Sequence, residues 1–257
     1  MTIGNKEIWV LKIGGNQVED AAFLTELVTA VKQVQTEHAV IIVHGGGKEI
    51  ADLHHRLGVG YEVVEGLRAT SEESLQLVEM VLNGTVNTRL VRWLVNAGVN
   101  ALGLSGIDLG LVRVIPLSLN GRSLGRVGTV TAVNSKPLLQ LLELDLTPVI
   151  SPVSLGEDGL DYNVNADHVA AGIARAVGAS KLVFVSNVPG VQVAGHTQRV
   201  LTISQVEKLI ADAHITGGMI PKVRSATEAV AFGVRQAVIT DLAGLARGEG
   251  TAIIPDL

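Results

Sequence analysis

The stretch AVIIVHGGGKEI, residues 39–50, decides how the chain is read. Its first half is apolar at consecutive positions rather than alternate ones, so a strand built from it is covered on both faces. Three glycines, Gly45 to Gly47, end the strand and join it to a helical pattern at 48–57. A covered strand followed directly by a helix belongs to a sheet that is parallel for the most part.

Working outward, similar segments recur as IWVLKI (8–13), NALGLS (100–105), TPVISPV (147–153), KLVFVSN (181–187), RQAVIT (235–240) and GTAII (250–254). Helical periodicity occupies the intervals near 20–36, 72–81, 84–97, 135–143, 166–177, 204–213 and 220–232. The alternation predicts an α/β fold, a doubly wound three-layer sandwich with a mainly parallel central sheet. The segment 108–131 breaks the rhythm with alternating residues around Asn120-Gly121 and predicts a β-hairpin. A glycine-rich bend fills 56–70. With no internal repeat and no linker, the expectation is one domain, 1–257, with an N-terminal lobe over about 1–177 and a C-terminal lobe over about 178–257.

The chain of 257 residues carries a net charge of −5 and has no basic run, so neither nucleic acid nor an anionic membrane surface is an expected partner. Any anion it handles must be held by local groups. The absence of cysteine removes disulfides, thiolate metal sites and cysteine nucleophiles together. Lys6 and Glu7 stand where a leader would be basic and then apolar, and no span approaches roughly 18 uninterrupted apolar residues, so a cytoplasmic protein is expected.

Ligands of open parallel sheets bind beyond the carboxyl ends of the strands, and the unusual clusters fall there. Lys12 sits inside an apolar run and is followed by Gly14-Gly15; Gly45 to Gly47 form the second glycine turn. Backbone N–H groups at such turns face an anion directly because no Cβ intervenes. If the two strands are neighbours, the turns can share one phosphate. Neither turn satisfies G-x-x-x-x-G-K-[ST] or G-x-G-x-x-G, and each alone reads equally well as a tight connection.

In YNVNADHVAAG, 162–172, helix capping accounts for one of Asn163, Asn165 and Asp167, and the surplus points to a site. TGGMIPKV, 216–223, puts Lys222 in the first turn of a helix, where a cation is disfavoured; a solvated surface lysine is the plainer reading. Arg68 in EGLRAT, 65–70, suits carboxylate recognition, as many surface arginines would. FVSNVPGV, 184–191, is either a turn or a loop over a nucleotide. The histidines show no metal spacing and read as structural or surface residues, so no metal ligand is assigned.

In this order, LKIGGN, IIVHGGGKEI, GLRAT, NGTVNTRLV, YNVNADHVA, VSNVPGV, ITGGMIPKV and GTAII resemble the amino acid kinase family over nearly the whole chain. The likeness is greatest to the branch that phosphorylates the side-chain carboxylate of N-acetyl-L-glutamate with ATP, giving an acyl phosphate in arginine biosynthesis. It implies the amino acid kinase (carbamate kinase-like) fold, an amino-acid-binding N-terminal lobe and a nucleotide-binding C-terminal lobe. Lys12 and Lys222 resemble the lysines that meet the transferring phosphoryl group, and Asp167 the carboxylate that orients both. Gly15 and Gly46 resemble its N–H donors, with Gly14, Gly45 and Gly47 shaping the turns and Gly46 and Gly47 also facing the substrate. Arg68 and Asn163 resemble the holders of the α-carboxylate. Ser186, Asn187, Val188, Gly190, Gly217, Gly218 and Met219 fall in the nucleotide lobe. ATP is implied as co-substrate, with Mg²⁺ carried on its phosphates.

Family members inhibited by arginine generally carry an additional N-terminal helix, whereas this sequence reaches its first strand at residue 8. The implied assembly is a homodimer without arginine feedback, in contact through helix 84–97. Asn187 stands where many members of the branch have aspartate, a feature shared with a kinase acting on carrier-linked aminoadipate in lysine biosynthesis. NVNADHVA and GLRAT read as the acetylglutamate pattern. A catalytically silent sensor on the same fold is the alternative from another class, and the joint presence of Lys12, Asp167 and Lys222 argues against it.

Overall fold

The structure, a computed structural model, describes residues 2–4, 6–15 and 17–256; Asn16, which ends the LKIGGN motif, lies outside them. In chain order the first half comprises β1 (Lys6–Ile13), α1 (Ala21–Gln35), β2 (His38–His44), α2 (Gly47–Leu57), a small hairpin of β3 (Glu62–Val64) and β4 (Leu67–Ala69), α3 (Glu72–Glu79), α4 (Asn87–Asn96), β5 (Ala101–Gly106), β6 (Val112–Leu119) and β7 (Arg122–Val133). The second half comprises α5 (Ser135–Glu143), β8 (Thr147–Gly156), β9 (Asp161–Asn163), α6 (Ala166–Ala176), β10 (Lys181–Val185), β11 (Val200–Thr202), α7 (Ile203–Ala211), α8 (Met219–Ala231), β12 (Ala237–Thr240), α9 (Leu242–Arg247) and β13 (Thr251–Ile254).

The strands β5, β8, β2, β1, β10 and β12 lie side by side and parallel, as the covered apolar runs predict. Beyond β12, β13 runs antiparallel and β11 pairs with it. At the other end β6 continues from the tip of β8, and β7 folds back on it. The turn joining β6 to β7 uses positive φ at both Asn120 (51°) and Gly121 (78°), the conformation that matches a two-residue hairpin to strand twist.

Side-chain parity divides the core. On β1, Ile8 and Val10 point to the face covered by α5, α6, α7 and α8, while Trp9, Leu11 and Ile13 point to the face covered by α1, α4 and α9. On β2, Ile41 and Val43 join the first face and Val40 and Ile42 the second. Each fully buried Leu or Ile contributes about 1.5–3 kcal/mol of transfer free energy. Those two layers also set the site: Lys12 shares the parity of Ile8 and Val10 and faces α6, whereas His44 shares that of Ile42 and faces α4.

One departure from the sequence reading lies at 72–97. The periodicity gives two separate helices, at 72–81 and 84–97, but α3 runs through a π-helical segment, Met80–Val86, straight into α4. Nothing lies within 4 Å of a Cβ at Gly84, so its bare Cα answers no packing need here. The π segment shifts the helix phase, and Val81, Leu82 and Val86 remain buried through it. Helix α9 and the short strands β3, β4, β9 and β11 are also additions to the sequence reading.

Candidate active site

Three neighbouring strand ends converge. Lys12 is level with Val43 and Phe184, and Ile13 with His44 and Val185, so the turns that follow, Gly14-Gly15, Gly45 to Gly47 and Ser186 to Gly190, emerge together. The first two turns touch through their backbones. The Gly45 N–H donates to the Ile13 carbonyl at 3.0 Å. A Cβ at Gly15 would lie 2.3 Å from the Gly46 nitrogen and 2.5 Å from its Cα, so the approach requires glycine.

The polar surplus of YNVNADHVA resolves into separate tasks. Asn165 caps α6 by accepting the Asp167 N–H at 2.8 Å. Asp167, in the first turn, sits at the positive end of the helix dipole and forms an ion pair with Lys12 at 2.7 Å. The two side chains are only 20% and 18% exposed, so the pair is shielded from most solvent screening. Asn163 turns the other way and donates to Thr70 Oγ1 at 3.3 Å, while Thr70 donates to the Arg68 carbonyl at 2.8 Å.

A cleft of about 620 Å³ opens on one side of this pair, lined by Lys12, Gly14, Gly15, Asp167, Ser186, Asn187, Gly218 and Lys222. Lys222, near the start of α8, donates to Asn187 Oδ1 at 2.9 Å. Its partner is a neutral amide, so the ammonium charge is oriented but not cancelled. Phe184, at the start of FVSNVPGV, lines the cleft too, as do Gln17, Ser225 and Ile239, which carry no sequence signal of their own. Val188, Gly190, Gly217 and Met219 line neither this cleft nor the second. Gly190 is instead packed against Thr251, and Met219 against the core under α8.

The second cleft, about 290 Å³, lies across the glycine turns and is lined by Gly45, Gly46, Gly47, Arg68 and Asn163, with Val63, Leu67, Leu82 and Val127 among its apolar residues. Arg68 stacks over the Tyr61 ring at 3.6 Å and makes a long bond to the Gly47 carbonyl at 3.4 Å. Its Nη1 is buried without a hydrogen-bond partner. A guanidinium, an amide and helix-start N–H groups beside an apolar wall can hold a small carboxylate with an apolar substituent.

Charged residues brace the turns from outside. Arg89 grips Glu49 with bonds of 2.6 and 2.9 Å and also donates to the Val18 carbonyl at 3.2 Å. Lys48 pairs with Glu19. Thus α2, α4 and the loop after Gly15 are tied together.

Under the second turn lies His44, fully buried. Its Nδ1 is 3.1 Å from the Gly45 carbonyl, and Asn87 Nδ2 lies 3.0 Å from its Nε2. A carbonyl requires a donor and an amide NH₂ requires an acceptor, so the ring is neutral with its proton on Nδ1. Burial away from any counter-charge lowers its pKa to about 4. The sequence reading of the histidines as structural or surface residues contains no hint of this arrangement, because the partner of His44 lies on a distant helix.

Among the described residues, no group of three or more His, Cys, Asp or Glu side chains could hold a metal ion. Asp167 is the carboxylate lining the larger cleft among the described residues, and Lys12 occupies it. That donor set fits a hard cation arriving on a polyphosphate with its own waters.

A model of the amino acid kinase family matches residues 7–241. An acetylglutamate kinase from Chloroflexus aurantiacus (strain ATCC 29366 / DSM 635 / J-10-fl) is 51% identical over 242 residues, 94% of this chain and 94% of its own. Among solved structures, smu.665 from Streptococcus mutans UA159 is 34% identical with a TM-score of 0.79, covering 97% of this chain and 99% of that one. The fold is also that of carbamate kinase from Giardia lamblia bound to AMP-PNP, with a TM-score of 0.68 at 15% identity over 98% of this chain and 99% of that one.

Proposed function

The chain belongs to the amino acid kinase family, and from that membership we propose that it transfers the γ-phosphoryl group of ATP to the side-chain carboxylate of N-acetyl-L-glutamate, as an acetylglutamate kinase of arginine biosynthesis. The observation that carries the reading is the meeting of two clefts at one point: the turns Gly14-Gly15 and Gly45 to Gly47, in backbone contact, with Lys12 and Asp167 beside them.

ATP occupies the larger cleft and the amino acid the smaller one. Transfer brings two anions together in line, so catalysis is positioning and charge compensation. A carboxylate is already ionised near neutral pH and needs no general base. Lys12 and Lys222 neutralise the charge that spreads over the transferring group, and Asp167 keeps Lys12 aimed at it. The N–H groups of Gly15 and Gly46 complete the cradle. Gly46 precedes the first turn of α2, where N–H groups have no intrahelical acceptor. Arg68 and Asn163 hold the α-carboxylate, and Val63, Leu67, Leu82 and Val127 shelter the acetyl group. Mg²⁺ carried on the ATP phosphates would screen their charge.

The reading divides a single domain into an amino-acid lobe, about 1–177, and a nucleotide lobe, about 178–257. It further takes the protein as a cytoplasmic homodimer joined through the helix at 84–97. No helix of the described residues is long and apolar enough to cross a membrane.

The test is ATP-dependent acyl-phosphate formation trapped with hydroxylamine. N-acetylglutamate, glutamate, aspartate, N-acetyl-aminoadipate and carbamate serve as acceptors. Turnover confined to N-acetylglutamate is expected. Preference for the aminoadipate analogue moves the enzyme to lysine biosynthesis, and no turnover on any acceptor leaves a sensor.

A further inference from the structure

The peptide between Gly45 and Gly46 has no side chain on either flank, and such a peptide can rotate with little steric resistance. Its orientation matters. In a planar trans peptide the C=O and the following N–H point in opposite directions, so whatever fixes the Gly45 carbonyl fixes the Gly46 N–H.

Here the carbonyl is fixed from below. His44 Nδ1 lies 3.1 Å from the Gly45 oxygen, and the ring is fully buried. The other ring nitrogen meets Asn87 Nδ2 at 3.0 Å, and the same NH₂ group donates to the Val149 carbonyl at 2.9 Å and lies 3.4 Å from the Leu104 carbonyl. Asn87 therefore has its NH₂ group committed to acceptors and cannot turn its oxygen toward the ring without facing oxygen against oxygen. The space that lets Asn87 reach this position is provided by Gly103, where a Cβ would lie 2.1 Å from Asn87 Oδ1. Asn87 itself starts α4 immediately after the π segment.

We propose that His44, held in its Nδ1–H tautomer by Asn87, is a positioning residue that locks the Gly45–Gly46 peptide so that the Gly46 N–H points away from the ring and into the site. Neither side chain touches substrate. Both act through one peptide plane. The depressed pKa keeps the ring neutral across the physiological range, so the lock does not respond to ordinary changes of pH. The consequence for turnover rests on the kinase reading above; the orientation of the peptide does not.

The test compares His44→Phe, which keeps a buried ring without a donor, with His44→Asn, whose side-chain amide can donate from a position close to that of Nδ1. Crystal structures of both variants report the peptide directly. Phe is expected to leave it flipped or in two orientations, and Asn to retain the native one. In parallel, kcat on N-acetylglutamate is expected to fall on the order of 10²-fold in His44→Phe, the scale of losing one preorganised donor, with KM for both substrates little changed and recovery of most of the loss in His44→Asn. A native peptide orientation in His44→Phe overturns the proposal whatever the kinetics. Should His44→Phe fail to fold, Asn87→Ala leaves the ring but frees its tautomer; a smaller fall in kcat with unchanged KM supports the lock, and wild-type kcat removes it. A wild type that turns over no acceptor sinks the kinase reading, while the crystallographic comparison still decides this one.

Discussion

Lys12 Nζ and Asp167 Oδ1 stand 2.7 Å apart, one on the middle strand of the sheet and the other in the first turn of α6. The strand parity that turns Lys12 toward α6 and the Asn165 cap that starts the helix at 166 together make this contact. Asp167→Asn keeps the shape and removes the charge. Without it Lys12 loses its orienting partner, and kcat is expected to fall about 10²–10³-fold, the range seen when a preorganised electrostatic group is lost. Steady-state kinetics at saturating substrates checks this; an unchanged kcat would remove Asp167 from the mechanism.

Arg68 offers a buried Nη1 with no partner to the smaller cleft while its contact with the Tyr61 ring holds the guanidinium plane. Arg68→Ala is expected to raise KM for N-acetylglutamate about 10–100-fold, as for a lost charge-assisted pair of bonds, with a smaller effect on KM for ATP. Arg68→Lys should recover little, because an ammonium cannot replace a planar fork stacked on an aromatic ring. Isothermal titration of the acceptor gives the answer independently of turnover.

Lys222 is bound to the amide of Asn187 at 2.9 Å, and nothing in that contact neutralises it. Lys222→Ala is expected to reduce kcat severely, about 10²-fold or more, while the melting temperature moves by no more than a few degrees. Calorimetry and kinetics on the same preparation separate the two effects. Activity at the wild-type level would assign the phosphoryl group's charge compensation elsewhere.

The two glycines after β1 make opposite predictions. A Cβ at Gly15 collides with the Gly46 backbone, whereas one at Gly14 meets nothing within 4 Å, and neither residue needs a positive φ. Gly15→Ala is expected to push the turns apart, lowering stability by about 1–3 kcal/mol and abolishing most activity. Gly14→Ala should fold as the wild type does. Urea denaturation of both proteins is the measurement, and equal stabilities would mean that the turns are not in contact.

How much of this was legible depends on the range of the interaction. The parallel sheet follows from runs such as AVIIV and KLVFV, whose apolar residues fill both faces, and each run became a central strand. Lys12 and the glycine turns stand out because a charge and missing side chains interrupt a local pattern. Their convergence is tertiary, and only the register of β1 against β2 and β10 supplies it. The gap left between helices at 72–81 and 84–97 errs in the other direction: a π segment, Met80–Val86, carries the helix through it without a stop. His44 and Asn87 stand within IIVHGGGKEI and NGTVNTRLV, but neither segment shows their contact, which forms only when the sheet packs against α4.

His44 also makes a prediction about stability. Its pKa is lowered to about 4 in the folded protein, against an ordinary value of 6.5. Between those two values the unfolded chain binds a proton that the folded protein refuses. Stability therefore rises with pH across that window: the contribution is fully present above 6.5 and is lost as pH falls toward 4, at up to about 1.4 kcal/mol per pH unit and on the order of 3 kcal/mol in all. Glu79, whose pKa is raised by burial and by the neighbouring Asp161 carboxyl, acts in the opposite sense, holding a proton more tightly when folded and so favouring the folded state as pH falls. Subtracting the curve of His44→Asn cancels that term and isolates the imidazole. Urea unfolding of both proteins from pH 7 to 4.5 is expected to give a difference that grows steadily below pH 6.5 in favour of the variant. Parallel curves would show that His44 is protonated as easily inside the protein as outside it, and would overturn its pairing with the NH₂ group of Asn87.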